Sequence, residues 1–130
     1  MKKLILILAS IPIIGAAQIK GYWASDSTVA TTVNSSNKII NQTVVKFAEQ
    51  ATVYRVVFTS DYKIFFMISK VNGEVLHQSI NKVVYLPNQY VTDEASFPYK
   101  ILPNGQLYVD NVIDDEGNSV LIQMYYSRVN

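Results

Sequence analysis

Few side chains in this chain are equipped for chemistry. His77 is the only histidine, and there is no cysteine. The second fact removes thiol nucleophiles, cysteine-ligated zinc, iron–sulfur clusters and disulfides together. His77 sits in Val75-Leu76-His77-Gln78-Ser79, a strand-like segment. A Ser-His-Asp hydrolase would have to be built around it, yet the chain has no Gly-x-Ser-x-Gly elbow to present the serine. Asp114-Asp115-Glu116-Gly117-Asn118 clusters oxygen donors but lacks the alternating spacing and distal glutamate of a calcium loop. It reads as a solvated hairpin tip, and Asp93-Glu94 is equally plain. The five glycines are isolated, so no phosphate-cradling loop is present. These residues predict a protein that is not an enzyme and carries no metal or cofactor.

The aromatic residues are the remaining chemical signal. Tyr54, Phe58, Phe65, Phe66, Tyr108, Tyr125 and Tyr126 all fall in strand-like segments. They serve either as the core of a small disulfide-free domain or as the lining of an apolar pocket. On the pocket reading, the ligand-binding candidates are Tyr54, Phe58, Phe66, Tyr108, Met124 and Tyr126. Phe65-Phe66 and Tyr125-Tyr126 are adjacent pairs, so each sends one ring to either face of its strand. Basic residues do not interleave with these rings densely enough to suggest single-strand nucleic-acid binding.

The elements that would position them are mostly strands, because Val, Ile, Thr, Tyr and Phe are abundant. Lys20–Ser25 reads as a first short strand and Asp26–Asn37 as a polar loop or weak edge. Lys38–Ala51 places Ile39, Ile40, Val44, Phe47, Ala48 and Ala51 at helical spacing, predicting one short helix despite its β-branched residues. Strands follow at Val53–Thr59, Lys63–Val71, Glu74–Ile80, Lys82–Leu86, Pro98–Leu102, Gln106–Val112 and Val120–Val129, with Tyr90–Phe97 as a loop. Asn72-Gly73 and Pro103-Asn104-Gly105 are hairpin turns. The fold class this implies is mainly β: a small antiparallel up-and-down barrel with one short helix. The alternative is α+β, with the helix packed on an antiparallel sheet as in cystatin-like domains.

Met1–Ala17 reads as an export signal. Met1-Lys2-Lys3 is a positive head, Leu4–Ile14 an apolar run, and Gly15-Ala16-Ala17 a cleavage site before Gln18. The apolar run is about half the ~20 residues of a spanning helix, so no membrane span is expected after cleavage. Residues 18–130 form one domain. Without Lys2 and Lys3, nine basic residues face ten acidic ones. That balance gives no electrostatic attraction to nucleic acid or anionic lipid. The expected location is periplasmic or extracellular.

Gly21-Tyr22-Trp23, just after the cleavage point, resembles the Gly-x-Trp signature of the lipocalin and lipocalin-like families. The chain continues in a manner similar to small bacterial lipocalin-like domains. Tyr99-Lys100-Ile101 leads through a turn to Leu107-Tyr108-Val109, and the last strand ends in Ser127-Arg128-Val129. The resemblance implies an up-and-down barrel with a cup for a small apolar ligand. It also implies that Arg128 packs over Trp23 at the barrel's base, with Gly21, Trp23 and Arg128 as structural residues. The function expected is an exported, non-catalytic binding protein, a carrier of a small apolar molecule. The alternative is a periplasmic inhibitor or immunity protein binding an envelope protein through an exposed patch around Tyr85, Tyr90 and Phe97.

Overall fold

The computed structural model describes residues 18–129. The export signal read in Met1–Ala17 lies outside them. The described residues form ten strands: β1 (Gly21–Val33), β2 (Ile39–Lys46), β3 (Thr52–Phe58), β4 (Tyr62–Ser69), β5 (Val75–Lys82), β6 (Val84–Leu86), β7 (Gln89–Val91), β8 (Ser96–Ile101), β9 (Leu107–Asp115) and β10 (Asn118–Arg128). Every pairing is antiparallel, in the order β5-β4-β3-β1-β10-β9-β8-β7-β6, with β2 added on β1.

The two ends of that path are neighbours in sequence. Only Val83 separates β5, which pairs with β4, from β6, which pairs with β7. The chain itself therefore carries the sheet round, giving a nearly closed barrel. The seam is tied to the β3–β4 turn: Val83 N donates to Asp61 O at 2.9 Å, and the Tyr85 hydroxyl to Thr59 O at 2.6 Å.

The core fills one end of the barrel. Ile19, Trp23, Val56, Phe58, Val83, Tyr90, Phe97, Tyr99, Leu107, Val109 and Tyr126 form one buried cluster. Phe58 meets Tyr90 edge-on at 5.1 Å, and Tyr90 stacks on Phe97 at 4.9 Å, geometries that aromatic quadrupoles favour. Tyr90 and Phe97 therefore belong to the core, and the exposed patch expected around them does not form. Tyr90–Phe97 is also not one loop, since it holds most of β7 and the start of β8.

Two further sequence expectations are corrected. β1 does not stop at Ser25. It passes a bulge between Ser25 and Ser27 and runs to Val33, so most of the segment read as a polar loop or weak edge is strand, and it pairs on both sides instead of lying at an edge. Lys38–Ala51 is not a helix: Ile39–Lys46 is a strand, followed by a single 3-10 turn at Phe47–Glu49. β1 offers a long partner edge, and Ile39, Ile40, Thr43, Val44 and Val45 suit a ladder better than a helix. The α+β alternative goes with the helix.

Candidate functional site

The register decides which rings meet. Directly opposed residues of a ladder share a face, and faces alternate along each strand. Trp23 opposes Val56, Val56 opposes Phe65, and Phe65 opposes Ser79. Met124 opposes Val109, and Tyr126 opposes Leu107. The inward set is thus Tyr54, Val56 and Phe58 on β3, Phe65 and Met67 on β4, and Met124 and Tyr126 on β10.

Four of the six ligand candidates, Tyr54, Phe58, Met124 and Tyr126, share this interior. Phe66 opposes Arg55 on the outer face. Tyr108 is outward too, its ring 5.1 Å from Tyr125 and its hydroxyl accepting from Gln123 Nε2 at 2.9 Å. Phe65 takes the interior place, 5.2 Å from Tyr54. The pair Phe65-Phe66 signals one ring inward but not which. Both alternating rows of β4 are largely apolar, so its parity is unreadable without the partner strand.

The base is closed by the ends of the described chain. The Arg128 guanidinium lies 4.2 Å from the centre of the Trp23 ring. Its Nη1 donates to Lys20 O at 2.9 Å and its Nη2 to Gln18 O. Trp23 Nε1 donates to Ile19 O at 2.7 Å, so the fully buried indole leaves no orphan donor. Gly21 has φ +130°, and a Cβ there would come within 2.5 Å of Arg128 Nη1. Only glycine lets the guanidinium reach across β1.

Lys63 also faces inward at this end, its ammonium 4.9 Å from the Phe97 ring and 5.5 Å from Tyr90. Burial lowers its pKa, against the pull of Glu94. Burial raises the Tyr90 and Tyr126 hydroxyls well above the ordinary tyrosine value.

Toward the other end the interior opens. Phe65 and Met124 pack against the core but are only partly buried, as is Tyr54 beside them. Beside Tyr54 lies a recess of about 330 Å³, lined by Thr28, Val45, Phe47, Gln50, Thr52 and Tyr54, so that of the six ligand candidates only Tyr54 borders it. Phe47 and Tyr54 give it an aromatic wall at 4.8 Å, and the threonines and glutamine give it a neutral polar rim. Such a surface suits an apolar body with a small polar part. Thr28, Val45 and Phe47 were missed by sequence reasoning because they come from segments read as a polar loop or weak edge and as a helix. His77 is exposed on β5, 6.2 Å from Phe65. Among the described residues no group of three or more His, Asp or Glu is placed to hold a metal ion, and no helix is long and apolar enough to cross a membrane.

No family model matches the sequence, and no curated protein is recognisably similar to it.

Proposed function

We propose that this is an exported, non-catalytic, lipocalin-like binding protein that carries a small apolar molecule in the open end of its barrel. One observation carries the reading. The inward row of β3 that packs the base ends at Tyr54, which is only partly buried and lines a recess of about 330 Å³. Trp23 under Arg128, at the start of the first strand and the end of the last, supports the lipocalin-like assignment. On this reading the seventeen leading residues deliver the chain to the periplasm or the exterior and are removed before Gln18.

Native mass spectrometry of the protein purified from its own cell envelope tests this directly. A small molecule retained at one-to-one stoichiometry, and displaced by a hydrophobic dye, is the expected result. A bare polypeptide mass together with no dye binding overturns it.

One observation favours the protein-binding alternative. Among the described residues β2 pairs only with β1, and its Ile39, Ile40 and Val44 are more than half exposed. A free apolar edge of this kind can accept a strand from an envelope protein. Stoichiometric co-purification of a polypeptide from the envelope, lost on Val44→Pro, would favour it over the carrier.

A further inference from the structure

β1 divides one edge between two partners. Gly21–Ala24 pair with β3, and from Ser27 onward the same edge pairs with β2. β2 and β3 therefore diverge, leaving a fork in the barrel wall beside Ser25 and Asp26. Ser25 spans its lower end by accepting from Tyr54 N at 3.0 Å. Phe47 fills the rest and is only 5% exposed.

This one side chain lines two spaces. The recess of about 330 Å³ lies on one side, shared with inward-facing Thr28, Val45 and Tyr54. A cleft of about 490 Å³, lined by Ser27, Lys46, Phe47, Ala48, Val53 and Lys70, lies on the other. We propose that the fork is a side portal for an amphiphile with an anionic head: the apolar chain passes Phe47 into the recess, and the head stays at Lys46 and Lys70. This rests on the carrier reading and adds the class of ligand and its route.

Charge at the cleft supports an anion. Asp26 also lines it, but its Oδ2 already accepts from Gln106 Nε2 at 2.8 Å and from Ser127 Oγ. Lys46 and Lys70 outweigh that single carboxylate, leaving the cleft one positive charge in excess. The ring of Phe47 is buried, but the backbone that carries it is lightly tied, by Gln50 N donating to Phe47 O at 3.2 Å. Its 3-10 turn is three residues long and has no side-chain cap. Lys70 Nζ donates to Phe47 O, so the same ammonium that would meet an anionic head also latches the plug. A carboxylate at Lys70 draws the ammonium toward itself and weakens its hold on that carbonyl, leaving the turn on its Gln50 N bond as the chain enters.

The test is calorimetric titration of the full chain with dodecanoate and with dodecanol. Dodecanoate is expected to bind about tenfold more tightly or better, the scale of one charge-assisted hydrogen bond. That advantage should disappear in a Lys46→Gln/Lys70→Gln double variant, shrink in Lys46→Gln alone, and persist in Lys38→Gln. Trp23 emission verifies that each variant is folded. Equal affinities in the wild type, or an advantage that survives in the folded double variant, overturn the portal while the carrier reading stands. Binding of neither amphiphile removes the carrier reading itself.

Discussion

At Gly21 and Arg128 a backbone dihedral and a cation depend on each other. Ala at 21 has to adopt φ near +130° and place its Cβ 2.5 Å from Arg128 Nη1. Gly21→Ala is expected to cost about 1–3 kcal/mol, the range for a non-glycine residue held in such a region. Arg128→Lys keeps the charge but loses the planar fork that stacks on Trp23 while donating to two carbonyls. Its expected cost is about 1–2 kcal/mol. Because both substitutions break one arrangement, the double variant should lose less than the sum of the singles. Urea unfolding followed by emission of Trp23, the only tryptophan, measures all three. Strict additivity would show that the glycine serves something other than the guanidinium.

Among the elements, the forked edge of β1 is what separates this barrel from a simple meander. Phe47 holds β2 and β3 at the fork, so Phe47→Ala is expected to destabilise by about 3 kcal/mol, toward the lower limit for a buried ring. Amide hydrogen exchange should speed up across Ile39–Lys46 and stay slow in the β9–β10 ladder. Uniform acceleration would mean that the fork is not a separate unit. The fork also marks the limit of what the sequence discloses. Asn72-Gly73 and Asn104-Gly105 are legible as turns because positive φ has a local cause, and the glycines there sit at +73° and +89°. The last strand is legible because its alternation is unbroken. The strand at Ile39–Lys46 is not, because its partner edge lies in another segment and its apolar residues happen to fall at helical spacing. Ile39, Ile40 and Val44, read as part of one helical face, are among the more exposed of the described residues. The recess shares that fate, since Thr28, Val45 and Phe47 come together only once β1 is known to pair twice.

For the whole molecule, alkaline pH is the natural probe of the core. Tyr90 and Tyr126 are buried and their hydroxyls are raised well above 10, while Tyr85 is raised to about 12. Groups whose folded pKa is raised stabilise fully below the unfolded value and lose that contribution as pH climbs through it. Stability should therefore fall from about pH 10 upward, by about 1.4 kcal/mol per pH unit for each fully buried tyrosine. Lys63 acts with the opposite sign. Its lowered pKa means that the folded state releases the proton first, so stability rises between that pKa and 10.5. Chemical unfolding from pH 8 to 12 should show a shallow rise and then a steep decline, and Lys63→Met should abolish only the rise. The ladder between β1 and β10 spans almost the full described length, joining Trp23 to Arg128 and Val33 to Ser119. Contacts of such sequence separation form late, after the local hairpins of β3, β4 and β5. A chain ending at residue 117 should accordingly leave Trp23 with the red-shifted emission of an open indole. Sealing the base is thus expected as a late step in the folding of the described barrel. Until β10 docks, the hairpins already formed lack the strand that joins β1 to β9 and closes them into a barrel.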